Sequence, residues 1–223
     1  MEARELRRIA RENLSGNWGN AILAGFLAAL LGGLVASGGG SISINADSEI
    51  LYELPPLVQT YFLTLLGVGS TLNLVHFILG GVIRQGYAVY LLKQYDRRNP
   101  ETHDLFSQFE RFGDGFCLNF LQGLFIFLWS LLLIVPGIIK SYAYAMAPYI
   151  MAENPNLTAR EVLRVSEDLM DGHKAELFFL ELSFIGWGLL SALTLGIGSF
   201  WLIPYVNAAH TAFYRNLPKD PIT

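Results

Sequence analysis

Chemistry at a protein site needs a base, a nucleophile or a set of metal donors held at short, fixed spacing, and this 223-residue sequence offers few such sets. Its four histidines, His76, His103, His173 and His210, stand singly, with no HExxH or His-x-His arrangement among them. One cysteine, Cys117, can neither form an intramolecular disulfide nor complete a Cys-rich zinc site. It reads as a small buried apolar residue at the mouth of a hydrophobic run rather than as a redox handle. No GxSxG, Walker A or GxGxxG context is present, and Gly196-Ile197-Gly198 reads as an interhelical turn. No nucleophile stands beside a base. The expectation is therefore no catalytic residue, no metal, no cofactor and a protein that is not an enzyme.

The residues that invite closer attention are polar groups inside apolar runs. Arg84, Lys140 and Glu181 each sit in or beside such a run, where a charge at membrane depth costs roughly 2.5 to 3.5 kcal/mol. They can form an ion-paired or solute-contacting cluster. The alternative is snorkelling for Lys140 and a bundle-facing structural partner for Glu181. Asn73, Asn119, Gln122, Asn207 and His210 are expected to hydrogen-bond between helices, each bond worth about 1 kcal/mol, or to line a cavity. Tyr142, Tyr144 and Tyr149, with Trp129, Trp187 and Trp201, read as interfacial anchors rather than as an aromatic cage.

What must position these groups is set by composition. The chain is 52% apolar and 15% charged, with 22 glycines and a mean hydropathy of +0.40. Soluble domains carry roughly 25% charge, so a polytopic membrane protein is expected, without room for a separate soluble catalytic domain. A net charge of −4 excludes a nucleic-acid partner.

The first apolar run, Asn20 to Ser37, is long enough to cross a bilayer; a signal-peptide core is the alternative. A polar, glycine-rich stretch, Gly38 to Glu53, follows. The second hydrophobic stretch, from Pro55-Pro56 to about Lys93, is too long for one crossing, so a break is expected near Gly80-Gly81. Its register stays open between Leu57–Leu79 and a later one with Arg84 inside the bundle. Two hairpins complete the chain: Phe116 to Val135, turning at Pro136-Gly137 and returning to Ala152; and Ala175 to Leu195, turning at Gly196-Ile197-Gly198 and returning to Tyr214. The returning arms are short and contain Pro148 or Pro204, which allows kinks, local thinning or partial insertion.

The fold expected is all-α, a polytopic transmembrane helical bundle of about six spans in three hairpins, each preceded by an amphipathic cytoplasmic-face helix, in a single domain over 1–223. That topology puts 14 of the 15 Lys and Arg residues inside and strands only Lys140 outside, which places both termini in the cytoplasm.

The hairpins also look like copies. Asn99-Pro100 aligns with Asn154-Pro155, Asp114-Gly115 with Asp171-Gly172, Trp129 with Trp187, and Pro148-Tyr149 with Pro204-Tyr205. With the N-terminal part this predicts units over 1–95, 99–153 and 154–216, unless the matches are a chance alignment of apolar runs. Each unit opens with a face helix. Arg4, Arg7, Arg8 and Arg11 share one side of the first, opposite Leu6, Ile9 and Ala10, as suits a helix lying on anionic head groups. Leu105, Phe106, Phe109 and Phe112 form a stripe on the second. Thr158-Ala159-Arg160-Glu161 opens the third as a capping box, with Val162, Val165 and Leu169 on one face. The plainer reading is that these helices pack on the bundle ends. Gly188, Ala192 and Gly196 form a small-residue line suited to close helix approach or dimerisation.

The strings LWSLLLIVPGIIKSYAYAMAPYIMAENPNLTAREVL, MDGHKAELFFLELSFIGW and PYVNAAHTAFYRNL, with REL and NLSGNWGNAI near the start, closely resemble a bacterial integral-membrane family, domain of unknown function nine-seventy-five. More distantly the chain is similar to the membrane domain attached to some glycerophosphoryl diester phosphodiesterases, although no phosphodiesterase metal motif is present. The resemblance covers nearly the whole chain and implies a multi-pass protein of the bacterial cytoplasmic membrane, with no activity to carry over. The function expected is a non-enzymatic module whose cytoplasmic helices engage membrane lipids, a partner protein or a second copy. The alternative is a small transporter or channel with a path between the hairpins; a lipid-directed enzyme is a third reading.

Overall fold

The computed structural model describes residues 2–32, 78–194 and 196–218. The Gly38–Glu53 stretch, most of the Leu57–Leu79 run, Asn73 and His76 lie outside the described residues. Among the described residues the fold is all-helical.

Helix α1, Ala3–Leu14, buries Leu6, Ala10 and Leu14, which recur at intervals of four and so share a face. It ends at Ser15-Gly16, where Gly16 takes φ +88°, and the chain bends by 104° into α2, Trp18–Gly32. Helix α3 spans residues 78–95 without interruption, so among the described residues no break falls at Gly80-Gly81, and the run before residue 78 lies outside them. These glycines serve approach instead of bending: a Cβ on Gly81 would stand 2.4 Å from the Gly115 carbonyl oxygen, and one on Gly86 2.0 Å from that of Leu105.

The expected second face helix is replaced by two short 3₁₀ turns, Thr102–Phe106 and Phe109–Arg111. Asp104 accounts for the first turn, accepting from the Glu101 amide at 3.0 Å and from Lys93 Nζ at 2.6 Å. Leu105 alone of the stripe is buried, while Phe106 and Phe109 are exposed.

Helix α4, Phe112–Leu132, runs about 31 Å at 1.5 Å per residue. It reverses at one extended residue, Leu133, into α5, Ile134–Ala143. The turn thus falls before Pro136-Gly137, which lie in the first turn of the returning helix, where a missing N–H costs nothing. The return breaks at Tyr144–Met146, and α6, Ala147–Glu153, restarts with Pro148 in its first turn. Helix α7, Ala159–Leu169, opens with the expected capping box: Glu161 accepts from the Thr158 amide at 2.8 Å. It packs across α4, α5 and α6.

Helices α8, Lys174–Leu182, and α9, Ile185–Leu193, form one arm broken at Ser183-Phe184. A turn containing Gly196, φ +87°, leads into α10, Ser199–Asn216, which stays continuous through Pro204. Helix α1 lies across α8 and α10, and α2 packs on α10. At the base, Arg215 pairs with Glu153 and, at 2.7 Å, with Asp96, while the Tyr214 hydroxyl donates to Glu153 at 2.6 Å, clasping α3, α6 and α10.

Two stretches are long and apolar enough to cross a membrane, Thr102–Leu132 and Lys174–Leu193; α1 with Trp18–Leu31 makes a third if the bent pair is one span. That is two to three candidate spans among the described residues, against about six expected.

Candidate functional site

The largest chemical feature is an apolar surface. Every residue from Phe127 to Val135 is exposed, with Leu131 to Val135 between 64% and 75% accessible. On the other hairpin Leu189, Leu190, Leu193, Ile197 and Trp201 are exposed, Leu193 at 80%. Burying one such side chain is worth about 1.5 to 3 kcal/mol, and a contiguous patch of this kind marks a surface that water does not cover in service. Cys117 also faces outward on α4, not inward as expected.

At the rim of this surface α1 exposes Arg4, Arg8 and Arg11. Arg7 departs from the expected set. At 100° per residue it is the arginine nearest the buried Leu14 edge, and it turns inward. Its Nη1 donates to the Ser183 carbonyl at 3.3 Å, its guanidinium stands 6.0 Å from the Phe184 ring, and its own carbonyl accepts from Tyr205 Oη at 3.3 Å. The apolar face of α1 is thus spent on protein contacts, the packing reading, while Arg4, Arg8 and Arg11 stay exposed, Arg8 lying 3.8 Å from Glu12 on the same helix.

A polar seam runs between the hairpins. Glu181 Oε2 accepts from the Tyr142 hydroxyl at 2.6 Å, and Glu181 Oε1 lies 3.4 Å from His210 Nε2. That second contact is an ion pair only when the imidazole is protonated, and Nε2 is otherwise buried without a hydrogen-bond partner. Asn207 Nδ2 donates to the Ile203 carbonyl at 2.9 Å and lies 3.5 Å from the Tyr87 hydroxyl. Arg84 faces a crevice lined by Gln85, Asn119 and Gln122, a space with room for about one water molecule. Gln122 bridges helices, donating to the Tyr144 carbonyl at 3.3 Å.

The structure therefore joins Glu181 and His210, sets Arg84 and Asn207 nearby, and separates Lys140 from them. Lys140 pairs with Glu167 of α7 and covers the Trp129 and Tyr144 rings at 5.3 and 5.7 Å. Tyr149 is buried, stacked on Tyr214 at 5.2 Å, and Tyr142 is bound to Glu181, so neither is the interfacial anchor expected. A Cβ on Gly188 meets nothing within 4 Å, so among the described residues the small-residue line supports no close approach. Among the described residues no group of three His, Cys, Asp or Glu is placed to hold a metal.

Tyr142 and Glu167 are partners that sequence reasoning missed. A signal existed for the meeting of Glu181 with His210: they lie fifteen residues before and fourteen after Gly196, hence opposite each other in a hairpin. None existed for Glu167, whose position depends on how α7 docks.

A family model described as "Protein of unknown function (DUF975)" matches residues 1–140 and again 131–220. No curated protein and no solved structure matches the chain.

Proposed function

The chain belongs to the DUF975 family of proteins of unknown function, and from that premise we propose that it is a non-enzymatic module of the bacterial cytoplasmic membrane. Its hairpins are embedded from the cytoplasmic side, both termini stay there, and α1 holds anionic lipid head groups. The observation that carries this reading is the juxtaposition of an exposed apolar surface with Arg4, Arg8 and Arg11 at its rim. An apolar body with one-sided arginines is the arrangement that an anionic interface attracts.

The test is retention of anionic lipid by the full-length protein, read by native mass spectrometry across a salt series. Replacing Arg4, Arg8 and Arg11 with glutamine should weaken retention about fivefold per residue, since each basic residue near an anionic surface contributes about 1 kcal/mol. Arg7→Gln should act on stability rather than on lipid. Retention that is unchanged in the triple variant and insensitive to salt would reject the reading.

The transporter reading has one feature in its favour. The breaks at Tyr144–Met146 and Ser183-Phe184 fall directly after Tyr142 and Glu181, and broken helices flanking polar groups are how transporters build binding sites. Against it stands the size of the crevice at Arg84, which admits no solute larger than water unless the hairpins part.

A further inference from the structure

Resting on the membrane reading above, we infer that the two hairpins of α4–α6 and α8–α10 are re-entrant. They enter and leave the bilayer by the face that carries α1 and α7, and their tips are covered by lipid acyl chains instead of emerging in water on the far side.

The tips themselves give the first reason. A hairpin that crosses a membrane puts its turn in water, where turns are polar. Here the first turn residue is Leu133, flanked by Leu131, Leu132, Ile134 and Val135, and no charged residue occurs from Gly115 to Ile139. The second tip presents Leu193, Ile197, Phe200 and Trp201, and no Asp, Glu, Lys or Arg occurs from Leu182 to Tyr214.

The second reason is backbone bonding. Hydrocarbon tolerates only peptide groups satisfied within the protein. Leu133 is bonded on both sides, its amide to the Trp129 carbonyl at 3.1 Å and its carbonyl to the Gly137 amide at 3.4 Å. Pro136 lacks an N–H to satisfy. In the second turn Gly196 donates to Ser191 at 2.9 Å, Ile197 to Thr194 at 3.1 Å, and Gly198 to the Thr194 hydroxyl at 3.0 Å. These bonds lie within the turns themselves, as a medium without water favours.

Height gives the third. The helices are long enough to cross, but their exposed apolar surface runs only from Phe120 to the Leu133 turn on one hairpin and from Phe178 to Leu193 on the other, about 20 and 22 Å at 1.5 Å per residue. The hydrocarbon core is about 30 Å thick. Polar boundaries lie closer still. Lys140, seven residues past the first turn and so about 10 Å from the tip, pairs with Glu167 on a helix that exposes Arg160, Arg164 and Asp168. A crossing hairpin would strand Lys140 on the far side. In a re-entrant one it joins the basic residues of α7, and the positive-inside bias loses its single exception.

The test is cysteine scanning of the full-length chain in a Cys117→Ser background, in sealed membranes of known orientation. Val135→Cys and Ile197→Cys report the tips, and Asn156→Cys, in the exposed segment before α7, reports the near face. Each is offered a membrane-impermeant maleimide from either side, and bimane-labelled tips are quenched by lipids spin-labelled at head group or mid-chain. The expected result is that Asn156→Cys reacts from one side, both tip cysteines react only after detergent, and mid-chain lipids quench the tips more than head-group lipids do. Tip labelling from the side opposite Asn156→Cys would show full crossings and overturn the inference while leaving the membrane reading intact. Tips that are protected but unquenched by lipid are covered by protein, a second copy included, which also overturns it. Tip labelling from the same side as Asn156→Cys places the hairpins in water and sinks the membrane reading itself.

Discussion

The two hairpins share an order of parts, yet they are held together by different means. The α4–α5 hairpin reverses on one residue and draws its polar contacts from outside the tip: Ser166 of α7 donates to the Ala143 carbonyl at 2.8 Å, Glu167 pairs with Lys140, and Gln122 reaches the Tyr144 carbonyl. The α8–α10 hairpin carries its contacts between its own arms. The Ser191 and Ser199 hydroxyls meet at 2.7 Å, the Phe184 and Tyr205 rings at 5.1 Å, and Glu181 faces His210. The first hairpin is therefore a client of α7, whereas the second takes its outside polar contacts from α1 and from Tyr142 of α5, and damage to α7 should separate them.

The largest effect should come from the tip of the first hairpin. A Cβ on Gly137 would stand 2.0 Å from Ser130 Oγ and 2.9 Å from Ser130 Cα, and the backbone atom cannot move without splaying α4 from α5. Gly137→Ala should cost about 1 to 3 kcal/mol, the usual range for overpacking. Gly188→Ala in the other hairpin meets open space and should be neutral or stabilising by up to about 1 kcal/mol through helix propensity. Reversible unfolding in mixed micelles, comparing the two alanine variants, checks the sign difference. Next in size is Ser166→Ala, which leaves the Ala143 carbonyl without its donor. A loss of about 0.5 to 1.5 kcal/mol is expected. Hydrogen exchange should locate it in α5 and α7, with α9 and α10 unchanged; equal loss in both hairpins would erase the distinction drawn above.

What was legible in the sequence follows the range of the interactions involved. The α7 capping box and the reversals after α4 and at Gly196 depend on residues within a few positions of one another, and they are present. Glu181 and His210 are distant in sequence, but counting from Gly196 brings them together. The failures concern which surface covers which. The length of the second apolar run predicts a break near Gly80-Gly81, whereas Gly81 serves the close approach of the Gly115 backbone oxygen. Helical angle alone groups Arg7 with its neighbours, and only the docking of α1 on Ser183 and Tyr205 singles it out. The partner of Lys140, Glu167, lies on a separate helix that local spacing does not bring to it.

The seam of the second hairpin offers a smaller effect. In a double-mutant cycle, Glu181→Gln and His210→Gln should couple by about 0.6 kcal/mol, the average for polar pairs in membrane bundles. Glu181→Gln with Tyr142→Phe should couple more strongly, because the 2.6 Å bond to Tyr142 is better formed than the 3.4 Å contact with His210. Stronger coupling to His210, with none to Tyr142, would mean that the imidazole, not the phenol, is the principal partner, and that the seam lies within the second hairpin alone rather than joining it to α5.

The smallest expected effect concerns pH and sharpens the dependence of the first hairpin on α7. The Glu161 carboxyl is held below its usual range by hydrogen bonds from the Thr158 amide and hydroxyl. A carboxylate whose folded value lies below its unfolded one contributes stability that is fully present above the unfolded value, near pH 4.3. That contribution fades as pH falls through the folded value, because the folded state must then take up the proton. On acidification below about pH 4.3 the N-terminus of α7 should therefore fray before α8–α10 responds, visible as faster amide exchange at Thr158 to Val162. Glu161→Gln should abolish this acid-dependent step while keeping the helix. Were α10 to loosen at the same pH as α7, the second hairpin would be as much a client of α7 as the first.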